Sequence, residues 1–145
     1  FIKTSMSKLP FRDNFAEEIV AWHSLEHVYI KDIDITLKEW YRVLKPGGIV
    51  HINVPDILGI ARKLIETDGD LFWSLMGEKT GDKELGYTKL IHGIFGDQSN
   101  YYNLHRSCFT KQSLYNALIQ VGFRNIIIKE MWTMEIFCID AWGYK

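Results

Sequence analysis

A strand, a helix and a second strand in direct succession constrain the fold of this chain more than any other feature. Residues 18–22 (EIVAW) and 49–54 (IVHINV) are short apolar runs that contain β-branched residues, as buried strands do. Between them, apolar residues recur at helical spacing, with Asp32 or Asp34 as the N-cap and residues 45–48 (KPGG) as a helix stop and tight turn. A crossover helix between two strands makes them parallel, so we predict an α/β sheet.

The C-terminal part predicts one more helix and two more strands. Thr110 is a suitable N-cap for a helix that stops at Gly122. Residues 125–129 and 135–141 are strand-like, and the short connection at 131–133 favours an antiparallel hairpin.

The stretch between these two parts is less regular. Apolar residues from Ile57 to Ile65 predict a helix, and residues 71–76 predict another, but glycines interrupt the pattern repeatedly. We interpret residues 57–104 as a partly helical, substrate-side insertion within a single domain that spans residues 1–145.

Composition excludes several classes of function. A net charge of -1 without a basic stripe argues against nucleic acid as a partner, and no apolar run approaches the length of a membrane-spanning helix. Cys108 and Cys138 lie in different elements and no secretory signal precedes them, which favours a reducing cytoplasm. Because no histidine or cysteine pair has zinc-ligand spacing, no metal site is predicted.

Several short sequence motifs, which we call phrases, add information that periodicity alone does not give. They are LPFRDNF (9–15), EIV (18–20), LEHV (25–28), RVLKPGG (42–48), PD (55–56) and, later, HRSCFT (105–110) followed by a helix and VGF (121–123). In this order they closely resemble the type-11 class of S-adenosylmethionine-dependent methyltransferases, over nearly the whole chain.

The resemblance implies a partial Rossmann-like methyltransferase sheet that ends in the β-hairpin. The family's glycine-rich loop and the acidic residue for the ribose hydroxyls would precede Phe1, and no G-x-G-x-x-G pattern follows a strand here. We therefore expect a truncated domain whose glycine-rich N-terminal half is absent. Residues 18–22 would then form an exposed sheet edge, which predicts a homodimer or higher assembly.

The resemblance also implies where S-adenosylmethionine binds. The residues near the adenine end are Met6, Ser7 and Leu9, and those beside the methyl group are Trp22, His23, Ser24 and His27. Trp22 is equally interpretable as a core residue. His23, at the end of a strand, is a candidate cofactor or substrate contact and a candidate base. For His27, and for its neighbour Glu26, a structural hydrogen bond is the alternative role.

The acceptor would lie against the insertion. Its polar and aromatic candidates are His92, Asp97, Gln98, Tyr101, Tyr102 and His105, although a plain surface loop has a similar composition. Asp97, Tyr101 and His105 are the predicted substrate contacts, and His105, which belongs to a family phrase, is also a catalytic candidate. His51 lies inside a strand and is interpreted as a satisfied sheet residue.

The favoured function is methyl transfer from S-adenosylmethionine to an unidentified small molecule. The alternative is a catalytically silent module that self-associates through its incomplete sheet. A fragment of a nucleotide-binding oxidoreductase would share the α/β pattern but not LEHV or RVLKPGG, and it ranks last.

Overall fold

A computed structural model describes residues 2–66, 91–133 and 136–145 of the chain. For residues 132 and 133 it describes the backbone only. The main elements are β1 (Ala16–Trp22), α1 (Ile33–Val43), β2 (Leu44–Pro55), α2 (Ile57–Glu66), α3 (Lys111–Val121), β3 (Arg124–Thr133) and β4 (Ile136–Tyr144). Short 3-10 turns lie at Leu25–His27, Ile30–Asp32 and Tyr101–Asn103, and residues 91–95 are helical. The helix predicted at residues 71–76 lies outside the described residues.

The four strands form one mixed sheet in the order β1-β2-β4-β3. β1 and β2 are neighbouring parallel strands, and α1 connects them along the chain, which confirms the predicted strand–helix–strand unit. β3 and β4 form the predicted antiparallel hairpin, and β4 lies between β3 and β2. The prediction placed the connection of the hairpin at residues 131–133, which is wrong, because these residues still pair with β4.

The tight turn predicted at residues 45–48 lies inside β2 rather than before it, although Gly47 has the reversed backbone that the prediction required. The helix does stop before it, but β2 begins at Leu44 rather than at Ile49, and its register with β1 shifts at this point. The segment is a bulge in which Gly47 has a φ of 79°. Lys145 accepts a hydrogen bond from the Gly47 N–H through its carbonyl oxygen at 2.9 Å, so the end of the chain closes the bulge.

The two α-helices beside the sheet begin differently. Thr110 caps α3 as predicted, because its hydroxyl accepts a hydrogen bond from the Ser113 N–H and the Ser113 hydroxyl reciprocates. Gly122, with a φ of 121°, ends α3 as predicted. Neither Asp32 nor Asp34 caps α1 with its side chain. Asp32 belongs to the preceding 3-10 turn and already has helical dihedral angles, so its carboxylate makes no capping hydrogen bond.

Helices α1 and α3 pack together and against one face of the sheet. Their contact with the sheet is a continuous apolar core of Ala21, Leu25, Ile33, Leu37, Trp40, Leu44, Val50, Ile52, Val54, Phe109, Leu114, Leu118, Phe123, Ile139 and Ala141. Alternate residues of β2 supply this core, as the period of two in a strand requires. α2 packs against β4 instead. None of the helices in the described part of the chain has the length and apolar character needed to cross a bilayer.

β1 lies at one edge of the sheet and, within the described residues, pairs only with β2. On the side of β1 that faces away from α1 and α3, Val20 is 57% exposed and Trp22 is 42% exposed. Trp22 is therefore not a core residue, which removes one of the two roles considered for it.

Candidate functional site

A cavity of about 300 Å³ lies where β1 ends, and we call it the histidine cavity. Its lining residues are His23, Glu26, His27, His92, Gly96, Asp97, Asn103, His105 and Ile136. Four of the chain's five histidines therefore meet here, although they are spread over 83 positions of the sequence. Clefts at the carboxyl ends of parallel strands are the usual ligand sites of open α/β sheets.

The backbone at the end of β1 directs His23 into this cavity. The His23 N–H still donates to the carbonyl oxygen of Asn53 on β2, at 2.9 Å, but its φ is 45°. This left-handed conformation is uncommon for a residue with a side chain. It turns the chain off the sheet into the 3-10 turn Leu25–His27, which is anchored in the core by Leu25.

A later segment of the chain covers this turn. The N–H groups of Arg106 and Ser107 both donate to the carbonyl oxygen of Glu26, at 2.8 and 3.1 Å. His27 donates from Nδ1 to the carbonyl oxygen of Leu104 at 3.1 Å. These bonds hold the family phrases LEHV and HRSCFT together, and they bring His105 beside His27 with ring centroids 4.9 Å apart.

The carboxylate of Glu26 is the most buried charged group of the histidine cavity. Its side chain is 1% exposed, and its Oε1 accepts a hydrogen bond from His23 Nδ1 at 3.3 Å. Its Oε2 has no hydrogen-bond partner among the described residues. A buried carboxylate oxygen without a partner is costly, so this position needs a functional explanation.

His105 is suited to accept a proton. Its Nδ1 donates to the carbonyl oxygen of Gly93 at 3.2 Å, which leaves the lone pair on Nε2. Burial lowers the pKa of His105 below its ordinary value, against a smaller opposing effect of the Glu26 carboxylate. Burial therefore favours the neutral ring.

Cys138 contacts His23 but is not an activated nucleophile. Its Sγ lies 4.0 Å from His23 Nε2, so Glu26, His23 and Cys138 are arranged in series. Burial, together with the nearby carboxylates, raises the pKa of Cys138 to about 12. The thiol remains protonated at neutral pH, which argues against covalent catalysis because the thiolate is the reactive form.

A second cavity, of about 210 Å³, lies next to the first, and we call it the N-terminal cavity. Its lining residues are Ser5, Met6, Ser7, His27, Val28, Tyr29, Asp32 and Thr36. His27 therefore borders both cavities. The Thr36 hydroxyl is buried here and has no hydrogen-bond partner among the described residues.

The predicted cofactor residues divide between these places. Met6 and Ser7 line the N-terminal cavity, but Leu9 packs against the core and donates its N–H to Glu39 Oε1 at 2.7 Å. Trp22 lies outside both cavities and makes an edge contact with His51. The Ser24 hydroxyl is engaged with the carbonyl oxygen of Trp22 at 2.9 Å.

The predicted acceptor residues also divide. Asp97 and His105 line the histidine cavity, but Tyr101 does not and is 63% exposed. The Asp97 carboxylate accepts hydrogen bonds from the N–H and hydroxyl of Ser99 and from Asn103. These bonds, led by the one from the Ser99 N–H, lower the pKa of Asp97. The Tyr101 hydroxyl pairs instead with the hydroxyl of Tyr29 at 3.1 Å.

His51 has the partners that a sheet residue needs. Its Nε2 lies 2.7 Å from Asp140 Oδ1 on β4, and its ring stacks on Trp142 with centroids 4.7 Å apart. It lies outside the histidine cavity.

Sequence reasoning did not bring together Glu26, His27 and His105. One potential ligand atom from each of the three lies within 4.8 Å of the others. Two of these residues are adjacent, but the third comes 78 positions later, so no short spacing could reveal the group. The only signal was that both segments belong to phrases of one family.

The amino-terminal third of the chain matches a known family. Residues 1–52 match the family model described as "Methyltransferase domain". This segment contains β1, the LEHV turn, α1 and most of β2. No curated protein matches the sequence.

The fold is that of solved S-adenosylmethionine-dependent methyltransferases. The structure is similar to a possible histamine N-methyltransferase from Thermotoga maritima, with a TM-score of 0.59, 17% identity, and coverage of 99% of this chain and 63% of that one. A methyltransferase from Methanosarcina mazei gives a TM-score of 0.60 at 20% identity, covering 98% and 65%.

A third similar structure contains its ligands. It is the 1,6-didemethyltoxoflavin-N1-methyltransferase of Burkholderia thailandensis with bound 1,6-didemethyltoxoflavin and S-adenosylhomocysteine, at a TM-score of 0.61 and 13% identity. It is covered over 50% of its length by the whole of this chain. The chain thus spans less than two thirds of the length of several methyltransferases that share its fold.

Proposed function

Because this chain is a class I methyltransferase-like domain, we propose that it takes part in methyl transfer from S-adenosylmethionine to a small-molecule acceptor. The observation that supports this most directly is the histidine cavity, which lies at the carboxyl end of β1 beside the segment that matches the methyltransferase family. The free cysteines Cys108 and Cys138 support a reducing, cytoplasmic setting.

The N-terminal cavity is the proposed position for one end of the cofactor. It offers the unpartnered Thr36 hydroxyl and the side chains of Met6 and Ser7. Its 210 Å³ is below the roughly 300–1,000 Å³ of ordinary small-molecule pockets, so it can hold only part of such a ligand. His23 and His27 would lie between this part and the acceptor.

When bound, the cofactor supplies an activated methyl group on a sulfonium, so the protein mainly has to align the acceptor and exclude water. A base is needed only where the acceptor must lose a proton. His105 is the better base of the two candidates because burial favours its neutral ring, which has an available lone pair on Nε2. The Nε2 of His23 faces the thiol of Cys138, and we assign His23 a positioning role.

Calorimetric titration with S-adenosylhomocysteine tests this proposal, because this product form binds without turnover. We expect saturable binding in the micromolar range and binding at least about fivefold weaker in His23→Asn, a loss of about 1 kcal/mol. Asparagine tolerates the left-handed backbone of position 23, so the variant removes the ring without forcing the chain to move. Gln112→Ala, on the exposed side of α3, is the control and should bind like the wild type.

Absence of saturable binding to the folded chain would reject a cofactor site in this polypeptide. Equal weakening in both variants would reject the role of His23.

Self-association is a second candidate function, and the exposed edge of β1 favours it. Val20 and Trp22 are apolar and largely exposed on a strand with a free edge among the described residues. Such an edge pairs readily with another strand, here that of a second copy. We expect light scattering to show a dimer that Val20→Lys dissociates. Ile127→Lys, on the opposite edge strand β3, is the matched control, and a monodisperse wild-type monomer would rule the candidate out.

A further inference from the structure

The group formed by Glu26, His27 and His105 has the composition of a cation site. One carboxylate oxygen and one nitrogen from each imidazole lie within 4.8 Å of one another. The three side chains come from the turn that follows β1 and from the segment that covers this turn. We propose that Glu26, His27 and His105 bind a divalent transition-metal cation on the wall of the histidine cavity.

The two imidazole rings are already oriented as metal ligands usually are. Both use Nδ1–H to donate to a backbone carbonyl oxygen, His27 to Leu104 at 3.1 Å and His105 to Gly93 at 3.2 Å. A carbonyl oxygen only accepts, so Nδ1 carries a proton in both rings, and the neutral form of each ring has its lone pair on Nε2. Metal-binding histidines characteristically donate their other N–H to a carbonyl or carboxylate, which fixes the tautomer and the ring orientation.

Glu26 provides an independent reason to expect a positive ligand. Its side chain is 1% exposed, and its Oε2 is buried with no hydrogen-bond partner among the described residues. The lining of the histidine cavity includes neither lysine nor arginine in the described part of the chain. A cation bound beside His27 and His105 would compensate this buried negative charge, which is otherwise expensive to maintain.

The donor set selects the class of cation. Two imidazole nitrogens and one carboxylate oxygen favour first-row ions such as zinc, cobalt and nickel, whereas magnesium and calcium prefer oxygen ligands alone. Three protein ligands leave at least one coordination position open, as in catalytic rather than structural zinc sites. That position would be available to a ligand in the histidine cavity.

A consequence for the acceptor follows, and this clause alone rests on the proposed methyl transfer. With the cation bound, His105 Nε2 is a ligand and no longer a base; an acceptor hydroxyl that binds at the open position would instead have its pKa lowered by the cation, which favours an oxygen nucleophile. Cation binding itself does not depend on methyl transfer.

Titration of the chelator-treated full chain with Co²⁺, followed by visible absorption, tests the site without any activity measurement. We expect a saturable absorption change from a single ion, and displacement of that ion by Zn²⁺. Glu26→Gln and His105→Ala should each weaken binding at least about tenfold, the lower limit seen when even the outer partners of metal ligands are removed.

The matched control is His92→Ala, because His92 lines the same cavity but does not belong to the three-residue group. It should bind Co²⁺ as the wild type does. Glu26→Gln keeps the shape of the side chain, so it remains informative if His105→Ala fails to fold, which circular dichroism would reveal.

No saturable Co²⁺ or Zn²⁺ binding would overturn the proposal and leave the group as a hydrated polar cluster. Equal loss of binding in His92→Ala and in the two ligand variants would also overturn it. Failure of the S-adenosylhomocysteine titration would not affect this result, so the two proposals can fail separately.

Discussion

The helix-covered face of the sheet and the histidine cavity are built on opposite principles. On the helix-covered face, Val50, Ile52 and Val54 alternate along β2 and are fully buried under α1 and α3. In the histidine cavity, Glu26 buries a carboxylate oxygen without a partner, and His23 has a left-handed backbone. Burial of apolar surface in the first region stabilises the fold, whereas the unpartnered oxygen and the left-handed backbone of the second region destabilise it.

This difference separates the region that stabilises the fold from the region that carries the proposed site. A region organised for stability alone would give both oxygens of Glu26 a hydrogen-bond partner or replace the residue with an apolar one. A buried carboxylate with one unpartnered oxygen beside three histidines is instead the arrangement expected of the proposed site. Substitutions in the two regions should therefore affect stability very differently.

The largest expected effect separates Ile52→Ala from His105→Ala. Ile52 is fully buried in the core, so its truncation should lower the free energy of unfolding by about 2–5 kcal/mol. His105 is half-buried beside a cavity and gives up one hydrogen bond, which is worth about 1 kcal/mol. Urea unfolding of both variants measures the difference. Comparable losses would show that the histidine cavity also contributes to the stability of the fold.

A smaller effect is expected at His23, where the backbone rather than the ring is tested. Its φ of 45° suits glycine and penalises alanine, so His23→Gly should be more stable than His23→Ala by about 1 kcal/mol. Both variants remove the ring and its bond to Glu26, so the comparison isolates the strain of the backbone. Thermal unfolding can resolve this difference, and equal stabilities would mean that the left-handed conformation costs nothing.

The helix-covered side was the more predictable from the sequence. The β-branched run at residues 49–54 and the signals at Thr110 and Gly122 are local, and each was confirmed. Longer-range pairing escaped prediction. The bulge at residues 45–48 depends on the register of β2 with β1 and on the hydrogen bond between Gly47 and Lys145. The conformational propensities of residues 45–48 carry no information about either contact.

The histidine cavity shows the same limit more strongly. His23, His27 and His105 were candidates from family phrases, but their closeness to one another depends on backbone hydrogen bonds between Glu26 and residues 106–107. Asp97 was predicted as a substrate contact, and most of its acceptor capacity is used within its own loop. Tyr101 was predicted with it and lies away from the cavity, because its hydroxyl pairs with Tyr29.

The smallest effect concerns pH and lies on the helix-covered side. A hydrogen bond from Arg42 lowers the pKa of Glu39 below its ordinary value, with a further contribution from the Leu9 N–H. A carboxyl group with a lowered pKa in the folded state stabilises the protein above its unfolded pKa, and this contribution is lost as the pH falls through the folded value.

The difference in free energy of unfolding between the wild type and Glu39→Gln should therefore be largest near pH 6, at about 1 kcal/mol for a partly exposed ion pair, and should shrink as the pH falls below about 4. Glutamine can still accept from the Leu9 N–H, so the variant removes the charge and retains that bond. Urea unfolding at a series of pH values measures the change. A difference that stays constant down to pH 3 would show that the Arg42–Glu39 pair contributes no electrostatic stability.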